Sequence, residues 1–251
     1  MRVTGFVGIV VVGLLFGGCQ SASKSPESTP QSRTQAAPQP TPTQVAPAVI
    51  AEKPKTLTLD ALKPGQEISL FDGKALGPWQ STDFGGQGDV TIKDGAIHMA
   101  TGSYMTGINW TGPIMRMNYE ITLEAMRVEG SDFFCGLTFP VGEKPCSLIL
   151  GGWGGSVCGL SSLDSFDASE NETTRIMTFE NGKWYRVRLR VVRDRIQAWL
   201  DDEPLVDVDT TGKRIDIRLE VEASKPLGIA TWNTAGAVRN IRLKKLPDGG
   251  Q

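Results

Sequence analysis

From Lys183 to Arg193 the chain alternates residue by residue. Tyr185, Val187, Leu189 and Val191 fall on one face of an extended chain, and Arg186, Arg188 and Arg190 on the other. A pleated strand separates these two sets, because its side chains change face at every residue; a helix of 3.6 residues per turn would mix them. Ile215 to Glu222 repeats the pattern with Asp216, Arg218, Glu220 and Glu222 outward, and predicts a second half-buried strand. Further strands are expected near Glu67–Phe71, Asp89–Ile92, Ala96–Ala100, Asn118–Val128, Phe133–Phe139, Cys146–Leu150, Val157–Leu160, Arg175–Phe179, Ile196–Leu200, Leu205–Val208, Leu227–Thr231 and Ala237–Leu243. Lys93-Asp94-Gly95, Glu180-Asn181-Gly182, Asp201-Asp202-Glu203-Pro204 and Thr211-Gly212 supply the turn chemistry between them. Many short strands without a long amphipathic helix predict an all-β fold, a jelly-roll sandwich of two antiparallel sheets.

The first residues follow a different logic. Arg2 is a positive n-region and Val3 to Phe16 an apolar run of about 14 residues, short of the roughly 20 that span a bilayer. Leu15-Phe16-Gly17-Gly18-Cys19 then places small residues ahead of a cysteine, the pattern of a bacterial lipoprotein signal. Residues 1–18 are therefore read as a signal peptide and Cys19 as the lipid attachment point, where two or more acyl chains give stable anchoring. Gln20 in place of Asp points to the outer membrane in the sorting pattern this resembles. Residues 19–55 are rich in Pro, Ser, Thr, Gln and Ala and cannot bury enough surface to offset chain entropy, which predicts a disordered tether stiffened by Pro38, Pro40, Pro42 and Pro47. Residues 56–246 form the expected globular domain, followed by a tail, 247–251.

The formal net charge is −2 and basic residues are scattered along strand faces. This excludes the basic stripe of a nucleic-acid binder and a polybasic membrane patch, leaving the lipid anchor as the only expected membrane contact. Cys135, Cys146 and Cys158 remain after lipidation, so at most one internal disulfide forms and leaves a thiol over.

Several residues are candidates for chemistry. Asp164, Asp167, Glu170 and Glu172 are the densest group of hard oxygen ligands: they could bind Ca²⁺ through Asp164, Asp167 and Glu170, place a carboxylate at a cleft rim, or form a solvated acidic loop. His98, the sole histidine, is a structural strand residue or a base. Trp153 stands in Gly151-Gly152-Trp153-Gly154-Gly155, where an indole with little to pack on is either a sugar platform or folded into the turn. Arg239 alternates with Ala237, Ile241 and Leu243, which points it inward toward an internal carboxylate, a carbonyl or a ligand. Glu120 and Glu124 partly resemble the acidic strand motif of jelly-roll glucanases, but four residues along a strand separate them by ~13 Å, too far for a retaining pair. Trp79, Trp184 and Trp199 are expected in the core or on a sheet face, and the loop from Asp83 to Asp89 carries no assigned role.

Ser69-Leu70-Phe71-Asp72-Gly73-Lys74-Ala75-Leu76-Gly77-Pro78-Trp79, then Ile196-Gln197-Ala198-Trp199-Leu200-Asp201-Asp202, then Val238-Arg239-Asn240-Ile241-Arg242-Leu243 resemble, in order and spacing, the 3-keto-disaccharide hydrolase domain, a family of 3-keto-glucoside lyases and hydratases. The resemblance implies a concanavalin-like jelly roll and carbohydrate processing in the bacterial envelope. It also implies an elimination in which a C3 ketone acidifies the C2 proton, a base removes it, and a metal, Arg239 or an amide such as Asn233 stabilises the enolate. Trp232 and Asn233 stand where the family often carries a His, and Cys146 to Trp153 lack its usual acidic residue and Gln. A non-catalytic carbohydrate-binding or scaffolding module is the alternative on the same fold.

The thiol of Cys19 is the only acylation point in this reading. The Cys19→Ser protein is therefore expected in the soluble fraction of the envelope, and its retention in membranes through lipid would contradict the assignment.

Overall fold

The computed structural model describes residues 59–248. The signal peptide, Cys19 and the whole of the tether lie outside the described residues, as does the end of the tail. A 3₁₀ turn, Leu59–Ala61, precedes fifteen strands: β1 (Glu67–Ser69), β2 (Trp79–Ser81), β3 (Val90–Lys93), β4 (Ala96–Met99), β5 (Met105–Trp110), β6 (Tyr119–Glu129), β7 (Cys135–Val141), β8 (Lys144–Gly152), β9 (Val157–Ser161), β10 (Arg175–Ile176), β11 (Trp184–Val192), β12 (Arg195–Leu200), β13 (Glu203–Asp209), β14 (Gly228–Trp232) and β15 (Ala235–Lys245). They form two antiparallel sheets. The larger runs β13-β12-β11-β6-β15-β4-β3, with β1 also on β15; the smaller runs β10-β9-β8-β7-β14-β5-β2.

The alternation seen in the sequence decides which side chains lie between the sheets. Tyr185, Val187, Leu189 and Val191 of β11 and Tyr119, Ile121, Leu123 and Ala125 of β6 are buried together, opposite Leu137 and Phe139 of β7 and Leu148 and Leu150 of β8. The Tyr119 hydroxyl crosses the sandwich and donates to the Pro140 carbonyl (2.5 Å), which satisfies a polar group that would be costly to bury alone. Burial drives the proton affinity of this phenol well up. Two hairpins turn as their residues require: Asp94 and Gly95 (φ 52° and 74°), and Asp201 and Asp202 (φ 50° and 71°), supply the pair of positive φ angles of a type I′ turn.

Three sequence expectations change, and two further strands, β2 and β5, are added. Ile215–Glu222 is not a strand. Ile215 makes one bridge to Leu163, and the chain then winds into a 3₁₀ helix, Leu219–Ser224, with Leu219 exposed and Val221 buried. Its alternation reflects a segment lying across a sheet face rather than within a sheet. Strand β5 escaped notice because Met105–Trp110 is buried on nearly all positions and shows no polar alternation; β2 is a three-residue edge strand. Arg175–Phe179 keeps only two strand residues. Finally, Arg239 points outward, since a bulge between Arg239 and Arg242, with Asn240 at φ 55°, breaks the alternation of β15.

Cys135, Cys146 and Cys158 are all free and buried. Burial pushes the thiols of Cys135 and Cys146 up to about 12 and that of Cys158 to about 11. At pH 8 the thiolate fraction of the first two is on the order of 1 in 10⁴. Iodoacetamide at pH 8 is therefore expected to spare all three in the folded protein and alkylate all three after denaturation, read by intact mass; rapid native labelling of Cys135 or Cys146 would contradict this packing.

Candidate functional site

The smaller sheet turns one face to the core and the other away from it. Across the outward face, cross-strand pairing lines up Gly107 of β5, Ala230 of β14, Gly136 of β7, Ile149 of β8 and Gly159 of β9. The next row carries Asn109, Gly228, Thr138, Ser147 and Ser161. Small side chains in register leave a trough, and aromatic rings enter it: a Cβ on Gly136 would meet the Phe133 ring at 3.1 Å. Phe84, from the loop left without a role in the sequence, packs with Phe133 and Trp232 around Met105, Ala230 and Val221. The 3₁₀ helix closes one side through Val221.

What remains open is a cleft of about 270 Å³, lined by Trp153, Trp232, Phe133, Asp132, Arg218 and Glu220 over a floor that includes Ser147, Ser161 and Ile149. The structure thus brings Trp153 and Trp232 to one place. Trp153 is 43% exposed with φ 50°, a conformation rare for a bulky residue and characteristic of functional loops. Its loop is fixed from below: the Gly154 N–H donates to Asp132 Oδ2 (3.0 Å), and Asp132 Oδ1 accepts from the Phe133 N–H (2.7 Å). Gly155 is obligatory there, since a Cβ would stand 2.3 Å from the Ser131 carbonyl oxygen. Trp232 is held in turn by Asn233, whose amide, oriented to suit its neighbours, accepts from the indole N–H (3.1 Å) and donates to the Ser103 carbonyl (3.2 Å).

The charged wall is built around Arg218. Its Nε and Nη2 donate to the two oxygens of Glu220 (3.3 and 2.9 Å), and Nη1 pairs with Asp167. The Arg218 hydrogen bonds hold the Glu220 carboxyl below the usual carboxylate range, and the bond to Glu220 raises Arg218 in return. Asp167 sits one contact behind the cleft surface, also accepting from the Ser161 hydroxyl (3.0 Å). Beside it the Thr138 and Ser147 hydroxyls share a buried hydrogen bond (2.9 Å).

Other sequence candidates lie elsewhere. Asp164 accepts from the Arg214 N–H and faces Lys213, Glu172 pairs with Lys213 (2.7 Å), and Glu170 is exposed. With Asp167 held by Arg218, the acidic loop does not converge, and among the described residues no three His, Cys, Asp or Glu side chains are placed to hold a metal ion. The residues present do not fit the Ca²⁺ site the loop offered. His98 pairs with Thr91 and Ala237 on the outer face of the larger sheet. Arg239 lies on that face too, bonded to Glu124 (2.6 Å) and stacked over Trp184 at 4.1 Å. Of the partners the sequence leaves open for it, the structure gives a carboxylate, on the outer face rather than inside. Asp132, Arg218 and Glu220 went unrecognised as site residues, because Asp132 stands alone in a loop and the other two read as outward strand charges. The glycine-flanked Trp153 was the available signal.

Residues 66–244 match the family described as the 3-keto-alpha-glucoside-1,2-lyase-like domain, and the chain belongs to it. No curated protein matches the sequence at a significant level. Among solved structures the fold is similar to a Crh5 transglycosylase in complex with NAG (TM-score 0.52, 9% identity, covering 74% of this chain and 89% of that one). It is also similar to the carbohydrate-binding module CBM66 from Bacillus subtilis (TM-score 0.47, 10% identity, 67% and 96% covered). A third is a Bacillus subtilis protein of unknown function with a galectin-like fold (TM-score 0.48, 10% identity, 72% and 94% covered). At these identities the likeness concerns the fold.

Proposed function

We propose that this member of the 3-keto-alpha-glucoside-1,2-lyase-like family binds a saccharide in the Trp153–Trp232 cleft and cleaves 3-keto-glycosides there by elimination. The observation that carries the reading is the convergence, on one face of the smaller sheet, of two tryptophans with Asp132, Glu220 and Arg218. Indole faces suit the apolar C–H face of a sugar ring, while carboxylates and a guanidinium suit its hydroxyls. Asp132 and Glu220 line the cleft with a single arginine, Arg218, which Asp167 also pairs from behind, so the local charge favours a neutral ring over a uronic acid.

The roles follow from how each group is engaged. A C3 ketone makes the C2 proton removable; a base takes it, the electron pair moves to the C3 oxygen as an enolate, and on its return C1=C2 forms as the C1–O bond to the aglycone breaks. Water added to that double bond completes a net hydrolysis. Glu220 and Asp167 are both held by Arg218, and Glu220 is a weakened base for that reason. Asp132 makes no ion pair among the described residues and accepts only backbone N–H groups, which assigns it the proton. Arg218, the cation of the cleft, then faces the enolate oxygen. Within the envelope, with Cys19 as lipid anchor, such a protein would act on glycosides at the outer membrane.

Purified protein is expected to release aglycone from a 3-keto-glucoside but not from the unoxidised glucoside, which lacks the acidified proton. Asp132→Asn should lower that rate by ~10²-fold or more, the usual weight of a general base. Binding without cleavage of either substrate would leave a carbohydrate-binding module and overturn the enzyme reading.

A further inference from the structure

Tyr104 is 66% exposed, yet it is not a loose surface residue. It begins where a tight turn meets β5. Its carbonyl accepts from the Asn233 N–H (2.7 Å), and the adjoining Ser103 N–H donates to the Gly86 carbonyl (2.8 Å). Gly102 is wedged so closely beneath that a Cβ would lie 2.7 Å from the Gly86 oxygen. The backbone under the ring is therefore fixed at both ends, which lowers the entropy lost when a ligand settles on it.

The ring also continues a series. Phe133 and Trp232 line the cleft with centroids 6.4 Å apart, and Tyr104 follows Trp232 at 5.6 Å with its plane tilted by 41°. Asn233 serves both outer members, since its N–H holds the Tyr104 carbonyl and its amide holds the Trp232 indole. The aromatic surface thus runs out of the cleft, past Trp232, onto a phenol ring that does not line the cleft. Core packing does not call for it, because Tyr104 belongs to none of the buried hydrophobic clusters of the described residues.

We infer that Tyr104 forms a second sugar subsite, its ring stacking on the sugar next to the one held in the Trp153 cleft. This rests on the saccharide reading of the cleft and adds Tyr104 to the residues that hold the ligand. Adjacent rings of a glycan are joined through one oxygen, so a ring seated beside Trp232 carries its neighbour toward Tyr104. The phenol face stacks on the neighbour, and the hydroxyl, which makes no hydrogen bond among the described residues, can meet a sugar hydroxyl.

Calorimetric titration of the full chain with methyl α-D-glucoside, maltotriose and cellotriose tests this. At least one trisaccharide should bind more tightly than the methyl glucoside. Tyr104→Ala should remove that advantage, by ~10-fold as for one stacked aromatic, while methyl glucoside affinity stays unchanged; Tyr104→Phe should keep most of it. Trp153→Ala should weaken all three sugars. Equal binding of all three by the wild type, or a trisaccharide advantage that survives Tyr104→Ala, overturns the second subsite. Indifference of every affinity to Trp153→Ala, or no sugar binding at all, overturns the cleft reading and the subsite with it.

Discussion

One apolar layer is shared by both sheets, and its filling decides everything outside it. Each strand gives alternate side chains to this layer, so the other half of its residues must face away. Tyr119, Ile121, Leu123 and Ala125 of β6 meet Leu137, Phe139, Leu148 and Leu150 across the sandwich with almost no exposed surface. Fully burying side chains of this size contributes roughly 1.5–3 kcal/mol each against the entropy of ordering the chain. The register is therefore locked, since a one-residue slip would turn these residues to solvent. The two outward faces are what the fold leaves for function.

Those faces have been put to different uses. On the larger sheet, Arg188 and Arg190 converge on Glu120 (3.6 and 3.3 Å), Arg239 on Glu124, and Arg242 on Glu67, while Arg188 stacks over Trp199 at 3.7 Å. Burial alone would raise Glu124, but hydrogen bonds from Arg239 and Asn240 hold it below the usual carboxylate range. Charge and aromatic surface are consumed within this face. On the smaller sheet, small residues in register open a trough, and Trp153 and Trp232 line the cleft that it leaves. The same residue types, Trp with Arg and a carboxylate, close one face and leave the other available to a ligand.

Much of the architecture was legible because it rests on local rules. The period of two in β11, the Asp94-Gly95 and Asp201-Asp202 turns and the ordered family segments all lead to the antiparallel sandwich that the structure displays. Strand β5 was invisible, since a strand buried on both faces loses its alternation. The candidate site was half legible. Trp153 stood out because glycines on both sides deprive an indole of local packing, and Trp232 entered through the family's pattern. Asp132, Arg218 and Glu220 did not, because their meeting depends on long-range placement. A 3₁₀ segment must lie across β5 and β14, and a loop carboxylate must find the Gly154 N–H twenty-two residues on. Arg239 shows the converse failure: a single bulge reverses the direction that strict alternation predicts.

The central claim is that ligand meets the outward face of the smaller sheet, and the six tryptophans report on it directly. Their indole N–H resonances, assigned by substitution, can be followed by NMR while maltotriose or cellotriose is added. Trp153 and Trp232 are expected to shift with saturable dependence on sugar, while Trp184 and Trp199 on the opposite sheet and Trp79 in the core stay in place. Shifts confined to Trp184 and Trp199, with Trp153 and Trp232 unmoved, would place the ligand on the other face and contradict the account.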